Sequence, residues 1–342
     1  MGEGWGSPTS LAPNRPLVWV ILCPVARCAV DHLIDVGAQL HGVHLCHDCV
    51  MRSGGVSVSV VIPTHNAAST LGAQLAAVLG QGIDRSVEVI VVDNASSDDP
   101  ASVVNAHSQG SFPVRTVTAA EGSGVAYARN VGTAAAKGEV VVYCDADDVV
   151  RPGWLQAMAQ ALDADDIAGG VLDVTAINSP QVQAMSWHPE IAELPMTMRF
   201  LPYATGASMG VRRAVWVDMG GFDESYIGGH EEVDFAWRAQ LKGYTVGFAP
   251  TAVIDYRLRS SVRAVMRQRF GYGRSYAQLY SRFREQPIRR LSLKHEVKVV
   301  VGFLSSAPKE LVAGRFPAWL AGLAWISGRW RGNIAYRVRC PL

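Results

Sequence analysis

The chain lacks the features of a membrane-spanning protein and of a disulfide-stabilised secreted domain. No apolar run in its 342 residues reaches the ~18–20 residues that a helix needs to cross a bilayer. Its six cysteines form no secreted disulfide framework, and a chain of this length does not need one. Residues 18–25 are apolar but have no basic region before them, which makes a poor signal peptide. We expect a cytoplasmic protein.

Two nucleotide-binding signatures are also absent after the first predicted strand. A dinucleotide-dependent oxidoreductase would carry Gly-x-Gly-x-x-Gly there. A nucleotidyltransferase would carry a glycine-rich, basic loop that holds a triphosphate. The chain reads Pro63-Thr-His-Asn66 at this position, which argues against both classes.

Basic and acidic residues are nearly equal in number in the whole chain, but they are unevenly distributed along it. The net charge of +1 suggests no polyanionic partner such as nucleic acid. Residues 257–342, however, carry 18 Lys and Arg against 3 Asp and Glu, and residues 1–256 carry 13 against 27. A basic C-terminal region either meets an anionic surface, such as a membrane, or presents its arginines on solvated helix faces. Both interpretations stay open.

An aromatic, apolar segment at residues 313–327 lies inside this basic region. Arg315 lies near its start, and Arg329 and Arg331 follow it. Such a segment is typical of a helix that lies in the membrane interface, which would make the protein peripheral on the inner face of the cytoplasmic membrane. It fits a core helix that closes the domain equally well.

Residues 1–55 differ in composition from the rest of the chain, and their apolar residues show no sustained periodicity. They contain Cys23, Cys28, Cys46 and Cys49, and the second pair has the two-residue spacing of structural zinc sites. The alternative, which we favour, is a poorly structured extension before the first domain.

From residue 56 onward, apolar strands alternate with helices. Buried strands are predicted at residues 56–62, 87–92 and 139–144. The alternation predicts an α/β fold over residues 56–256, with a mostly parallel, Rossmann-like sheet flanked by helices. A basic helical region, residues 257–342, follows it.

Polar residues follow these strands, at the sheet edge where such folds bind ligands. They are residues 64–66, residues 93–94 and the cluster Asp145, Asp147 and Asp148. Three carboxylates so close together repel one another, and a bound cation would offset the repulsion. Oxygen ligands suit Mg²⁺ or Mn²⁺ shared with substrate phosphates. The alternative is a solvated loop whose aspartate caps the next helix.

Two further features have more than one interpretation. Glu231 and Glu232 follow His230 at a predicted helix start, where the helix dipole favours acids in any case. One of them could instead act as general base on an acceptor hydroxyl. Arg129 could pair with a phosphate or form a surface salt bridge.

Taken in order, these motifs resemble the inverting glycosyltransferases of family 2, which have the GT-A fold. The matching stretches are Val58-Ser-Val-Val-Ile-Pro-Thr-His-Asn66, Val91-Val-Asp-Asn-Ala-Ser96, Ala128-Arg-Asn-Val-Gly132, Lys137-Gly-Glu139, Cys144-Asp-Ala-Asp-Asp148, Gly220-Gly-Phe-Asp-Glu224 and His230-Glu-Glu-Val-Asp-Phe-Ala-Trp-Arg238. The resemblance covers roughly residues 56–260.

The resemblance implies roles for individual residues. Those implied to bind the donor nucleotide sugar are Pro63, Thr64, Asn66, Asp93, Arg129, Asp145 and Arg257. Asp147 and Asp145 would hold a divalent cation, Mg²⁺ or Mn²⁺, and residues 206–208 would face the sugar and the acceptor. Glu232 would be the catalytic base, with Glu231 as the competing candidate.

The chain departs from the family pattern at two positions. Glu232 stands where the family usually has Asp, which lengthens the side chain by one methylene. Asp255 stands where many relatives have a metal-binding His, so the resemblance implies Asp255 as a further metal ligand. Arg257 and Arg259 follow it, within reach of a diphosphate.

The function implied is inverting transfer of a sugar from a nucleoside-diphosphate-sugar to a hydroxyl of a glycan or lipid-linked acceptor. Cell-envelope or surface polysaccharide and glycolipid synthesis is the expected setting. The alternatives are a non-catalytic nucleotide-sugar-binding homologue, which Glu232 and Asp255 keep open, and a nucleotidyltransferase.

Overall fold

The computed structural model describes residues 57–186, 190–288 and 292–341. The zinc site and the alternative extension considered for residues 1–55 therefore lie outside the described residues.

Within the described residues, eight strands form one sheet. They are β1 (Val58–Thr64), β2 (Val87–Asp93), β3 (Val114–Thr118), β4 (Val140–Cys144), β5 (Val149–Val150), β6 (Ile167–Asp173), β7 (Ser208–Arg212) and β8 (Val246–Asp255). Their order across the sheet is β3-β2-β1-β4-β7-β6-β8-β5. β7 runs opposite to β4 and β6, and β5 runs opposite to β8, so six strands share one direction. The mostly parallel α/β sheet predicted from sequence is thus confirmed.

The central strands are buried on both faces because nearly every position in them is apolar. In β1, Val60 and Ile62 pack into one apolar cluster, and Val61 packs into the cluster on the other face. β2 divides its residues in the same way, with Val91 on the first side and Ile90 on the second. Successive strand residues point to opposite faces, so a continuous Val and Ile run fits a sheet covered on both sides.

Helices cover the sheet. They are α1 (Ala68–Leu79), α2 (Pro100–Ala106), α3 (Val125–Ala135), α4 (Trp154–Ala164), α5 (Pro180–Ser186), α6 (Arg213–Met219) and α7 (Glu231–Leu241). The sequence pattern did not indicate α5, β7 or α6. β8 is interrupted by a bulge at residues 250–252, where its register with β6 shifts.

Four helices make up the C-terminal region: α8 (Val262–Phe283), α9 (Leu293–Ser305), α10 (Ala307–Val312) and α11 (Phe316–Ala335). Helix α11 packs closely on α8, because Gly273 faces the Trp325 carbonyl and Gly328 faces the Phe270 carbonyl. Ala321 and Ile326 of α11 are buried. The segment at residues 313–327 is therefore packed against the protein in its second half, whereas residues 313–315 are exposed. None of the described helices combines the length and the apolar composition that crossing a bilayer requires.

Candidate active site

A cavity of about 1290 Å³ opens at the carboxyl ends of β1, β2 and β4. Its wall is built from the loops after these strands, from the start of α7, and from α8 and α11. The predicted site residues that line it are Pro63, Thr64, Asn66, Arg129, Asp145, Asp147, Glu231, Glu232 and Arg257. The structure thus brings together side chains that lie far apart in the sequence.

The end of β1 is joined to the loop after β2 through Asn66. Asn66 adopts a left-handed backbone conformation (φ 52°), and its side-chain oxygen accepts hydrogen bonds from the backbone N–H (2.7 Å) and the hydroxyl (2.9 Å) of Ser97. An asparagine tolerates this conformation better than most residues. Asn66 therefore fixes the shape of the cavity floor beside Thr64.

Asp93 and Asn94 are adjacent in the sequence, but only Asn94 lines the cavity. Asp93 is not part of the cavity wall, and its Oδ1 accepts a hydrogen bond from the Ser96 N–H (3.0 Å). Asn94 lines the cavity, and its side chain bonds to the Ala119 carbonyl (2.6 Å) and the Gly124 N–H (3.0 Å). Asn94 thereby holds the loop that leads into α3. Asp93 is the register partner of Thr64 in the sheet, so it lies beside one predicted donor-binding residue although its side chain is not part of the wall.

Arg129, on α3, joins the two acidic clusters of the sequence. Its guanidinium donates to Glu231 Oε1 (2.8 Å) and to Asp145 Oδ1 (3.1 Å). The residue is 2% exposed, so its pair with the equally buried Glu231 is shielded from water. Gly206 makes room for it, because a Cβ at that position would lie 2.6 Å from both terminal nitrogens of the guanidinium.

The neighbouring residue Asn130 anchors the Gly220–Glu224 motif to the same helix. Its Oδ1 accepts from the Phe222 N–H (2.9 Å), and its Nδ2 donates to the Phe222 carbonyl (2.9 Å) and to Glu224 Oε1 (2.8 Å). The motif resembling the family at residues 220–224 therefore supports the orientation of α3 and, with it, of Arg129.

Glu231 and Glu232 occupy different environments at the start of α7. Glu231 is 3% exposed and its Oε1 is taken by Arg129. Oε2 of each glutamate is buried and has no hydrogen-bond partner among the described residues, but only Glu231 is paired with Arg129. Burial and the charge of Glu231 raise the pKa of Glu232 to about 8, although Arg129 opposes the rise. Glu232 is thus the better placed of the two to accept a proton.

The three aspartates after β4 divide between the cavity and the protein interior. The side chains of Asp145 and Asp147 are 30% and 24% exposed, and both residues line the cavity. Asp147 Oδ2 accepts from Arg259 (2.8 Å). Asp148 points away from the cavity: its Oδ1 accepts from the Arg257 N–H (2.7 Å), and burial raises its pKa well above the usual range. Asp148 therefore supports the loop after β8.

Asp145 and Asp147 fit a divalent cation that is shared with a ligand. The described residues contain no group of three or more His, Cys, Asp or Glu side chains arranged to hold a metal alone. Mg²⁺ and Mn²⁺ are hard cations, and Mg²⁺ in particular is commonly bound by one or two carboxylates together with substrate phosphates. Two carboxylates on the wall of a large cavity match that donor set.

Asp255 lies outside this pair. It is not part of the cavity wall, and its Oδ1 accepts from Arg151 Nε (2.8 Å). The reason is the pairing of β6 with β8, which places Asp173 directly beside Asp255. Arg151 also pairs with Asp173 and so offsets the repulsion between the two carboxylates. The geometry therefore disagrees with the sequence prediction of Asp255 as a metal ligand.

Aromatic residues that sequence reasoning missed form another part of the wall. They include Tyr203, Tyr272 and Trp325. His230 joins them: its ring packs edge-on to Tyr272 (centroids 6.1 Å apart), and its Nδ1 lies 2.8 Å from the Ser275 hydroxyl. Burial lowers the pKa of His230 to about 4, so its imidazole is neutral at pH 7. Only His230 lies in a recognisable motif, and the others carry no sequence signal.

Comparison with protein families yields two overlapping matches. The model described as glycosyl transferase family 2 matches residues 59–218, and that of glycosyl transferase family group 2 matches residues 140–331. A pre-mycofactocin glycosyltransferase of Mycobacterium tuberculosis is 29% identical over 298 residues, which cover 80% of this chain and 58% of the relative. Glycosyltransferase AglE of Haloferax volcanii is 26% identical over 261 residues, which cover 74% and 83%.

The fold has a solved counterpart in the mannosyltransferase PcManGT of Pyrobaculum calidifontis. The two share a TM-score of 0.55 at 18% identity, over 81% of this chain and 88% of that chain. This similarity shows the GT-A fold. The chain spans little more than half the length of the M. tuberculosis relative. Because a single family model covers more than half of the chain, the chain belongs to glycosyltransferase family 2.

Proposed function

We propose that the chain is an inverting glycosyltransferase that moves a sugar from a nucleoside-diphosphate-sugar to an acceptor hydroxyl. The observation that carries the proposal is the Arg129 bridge. It holds Asp145, on the side of the cavity near the strand ends, within one ion-pair network with Glu231. A donor-binding acid and a candidate base thus face the same cavity.

The donor side consists of the strand ends and the arginines after β8. Pro63, Thr64 and Asn66 would contact the nucleotide, and Arg257 would face the diphosphate. Asp145 and Asp147 would hold the divalent cation, Mg²⁺ or Mn²⁺. When bound, such a cation stabilises negative charge that develops on a leaving diphosphate. The solved PcManGT structure, which contains GDP-mannose and Mn²⁺, supports this arrangement.

Glu232 would act as the general base. Its carboxylate accepts the proton of the acceptor hydroxyl while the hydroxyl oxygen attacks the anomeric carbon and the bond to the diphosphate breaks. A base with a pKa of about 8 is well matched to proton transfer near neutral pH. Attack opposite the leaving group in a single displacement inverts the anomeric configuration.

The acceptor would be a glycan or a lipid-linked sugar used in cell-envelope or surface-polysaccharide synthesis. We further propose that residues 257–342 contact the inner face of the cytoplasmic membrane. The excess of 18 basic over 3 acidic residues in this region supports that contact, because anionic lipids attract clustered Lys and Arg.

The test of the chemistry is Glu232→Gln, with Glu231→Gln as the matched neighbour. We expect Glu232→Gln to lower kcat by about 10²–10⁴-fold with little change in the donor KM. Glu231→Gln should instead raise the donor KM, because it releases Arg129. Both are measured with Mn²⁺ by donor hydrolysis and by transfer, and product NMR reports the anomeric configuration.

Full turnover by the Glu232→Gln variant would exclude Glu232 as the base. Retention of configuration would exclude a single displacement. A wild-type chain that binds the donor but neither hydrolyses nor transfers it would instead establish the non-catalytic alternative.

A further inference from the structure

Helix α9 presents an apolar face to solvent. Leu293, Val297, Val301 and Leu304, spaced four, four and three residues apart, fall on one side of the helix. They are 56%, 53%, 57% and 41% exposed. We refer to these four residues as the α9 face. Isolated exposed apolar residues are common, but an aligned row of four on one helix is not explained by chance exposure.

A neighbouring side of α9, which carries Glu296 and Phe303, is held by the protein, and Val299 beyond it is 44% exposed. Phe303 stacks on Trp319 of α11 (centroids 5.4 Å apart, rings 4° from parallel), and the Phe303 carbonyl accepts from the Trp319 indole (2.9 Å). A Cβ at Gly322 would lie 2.7 Å from the Phe303 ring, so α9 sits directly over this glycine. Glu296 on the same side is 6% exposed. These contacts orient the helix and leave its apolar face turned outward.

Positive charge flanks the α9 face. Lys294 and Lys298 each follow a residue of the face by one position and are exposed. Glu296, the acid of this helix, is on the protein side. The next helix, α10, ends with Leu311 and Val312, which are 61% and 91% exposed. An apolar stripe with lysines beside it is the pattern of a helix that lies in a membrane interface.

We propose that the α9 face docks on the surface of an anionic lipid bilayer. The inference rests on the proposed membrane contact of residues 257–342, but not on the transfer chemistry. Charge complementarity selects this occupant: two copies of the chain packed face to face would bring Lys294 and Lys298 of one copy close to those of the other. Anionic headgroups supply the opposite charge, and acyl chains accept the apolar residues.

The position of this surface differs from the one considered from sequence. The aromatic residues 313–327 are used to pack α11 on α8 and to support Phe303, whereas the valine-rich α9 carries the outward face. Docking through α9 would place the C-terminal helices, which contribute Tyr272 and Trp325 to the cavity wall, next to the bilayer. A lipid-linked acceptor would then reach the cavity without leaving the membrane.

The test is co-flotation of the full chain with vesicles of phosphatidylcholine, with and without phosphatidylglycerol. Two variants separate the contributions: Val297→Gln/Val301→Gln removes apolar surface, and Lys294→Gln/Lys298→Gln removes charge. The control is Val217→Gln/Leu241→Gln, which changes two exposed apolar residues (59% and 49%) of the sheet domain. Turnover with a soluble acceptor is measured for every variant.

We expect wild type and control to bind vesicles only when phosphatidylglycerol is present. Each α9 variant should bind at least about tenfold more weakly, and the binding of wild type should fall with salt. Unchanged binding by either α9 variant would overturn the proposal, as would wild type that does not bind. A dimer in light scattering that the valine variant abolishes would assign the face to a second copy. If wild type shows no turnover, the proposed transferase activity is contradicted, and the vesicle-binding result still stands on its own.

Discussion

At the scale of single residues, Arg129 decides the charge balance of the cavity. Its guanidinium faces Asp145 on one side and Glu231 on the other, and burial shields the pair with Glu231. Removing one partner of a buried pair leaves an uncompensated charge, which is far more costly than the pair itself is stabilising. The position of Arg129 should therefore control both acid clusters at once.

Gly206→Ala tests this control without changing any charge. The new Cβ would approach the guanidinium to 2.6 Å, so Arg129 must move away from Glu231 and Asp145. We expect a loss of kcat/KM of about 10-fold to 100-fold, since a shift of about 1 Å in a site can cost that much. Steady-state kinetics measures it. The control is Gly82→Ala, because a Cβ at Gly82 would meet open space. Gly124→Ala is not suitable, because the positive φ of Gly124 would strain an alanine. Unchanged kinetics for Gly206→Ala would show that Arg129 does not set the geometry.

Glu232 predicts an unusual pH dependence of activity. Its pKa is raised from 4.5 to about 8, mainly by burial, and the base form is the carboxylate. kcat/KM should therefore rise with pH through an apparent pKa near 8, rather than near the ordinary value of a glutamate. A pH–rate profile of the free enzyme measures it. A plateau already reached at about pH 6 would contradict the raised pKa.

The same shift has a consequence for stability. A raised carboxyl pKa means that the folded state favours the protonated form. The contribution of Glu232 to the free energy of unfolding is fully present below pH 4.5 and is lost as the pH rises through about 8. Glu232→Gln avoids this loss and should melt a few degrees above wild type at about pH 9, but close to it at about pH 4. Thermal melts at the two pH values show whether the difference grows with pH.

At the scale of elements, glycines and one arginine attach the C-terminal helices to the rest of the protein. Gly273 and Gly328 let α8 and α11 approach backbone to backbone. Arg282 on α8 pairs with Asp234 of α7 (3.1 Å), which is fully buried and also bound by Arg238. Asp234 thus has a structural role beside the candidate base. The helices that complete the cavity wall are held to the helix that carries Glu232.

Gly328→Ala should separate α8 from α11. Its Cβ would collide with the Phe270 carbonyl, and a collision with backbone cannot be relieved by a rotamer change. We expect a loss of about 1–3 kcal/mol in the free energy of unfolding. Gly302→Ala on α9 is the matched control, because it has open space and should gain up to about 1 kcal/mol from helix propensity. Urea denaturation compares them, and equal stability of the two variants would rule out close packing at Gly328.

At the scale of the whole molecule, the cavity combines Asp145 and Asp147, the acidic pair proposed to hold a cation, with Arg257 and Arg259, the arginines proposed to face a diphosphate. The two kinds of group lie on different loops, after β4 and after β8, and meet where Arg259 contacts Asp147. A nucleoside diphosphate and Mn²⁺ should therefore stabilise the protein together more than the sum of each alone. For scale, a single ligand at about 100 Kd stabilises the folded state by about 2.7 kcal/mol.

Thermal shift with UDP or GDP, each with and without Mn²⁺, measures this linkage. Asp147→Asn should lose the Mn²⁺-dependent part of the shift. Asp255→Asn should keep it while lowering the melting temperature, because it breaks the pair with Arg151. Loss of the Mn²⁺ effect in Asp255→Asn would restore Asp255 as a metal ligand.

Much of the fold could be predicted because its signals are local. The Val and Ile runs of β1, β2 and β4, and the polar residues that end them, indicate a mostly parallel sheet without knowledge of any contact. β5 escaped prediction because its two residues carry no periodicity, and β7 escaped because its sequence, Ser-Met-Gly-Val-Arg, lacks the continuous apolar run of β4. The roles of the site residues stay predictions, including that of Asp93, which lies beside Thr64 in the sheet. Asp255 is paired with Arg151 and is not part of the cavity wall.

The sequence by itself determined the α/β fold class, the family resemblance, and the order of the acidic clusters along the chain. These properties depend on patterns within a few residues or on motifs read in order. Only the tertiary structure decided which residues meet. Pairing of β6 with β8 turned Asp255 into a partner of Arg151, and close contacts at Gly273 and Gly328 packed α11 against α8. The folding of α3 onto the strand ends put Arg129 between two acid clusters, because contacts between distant segments depend on packing that no local pattern records.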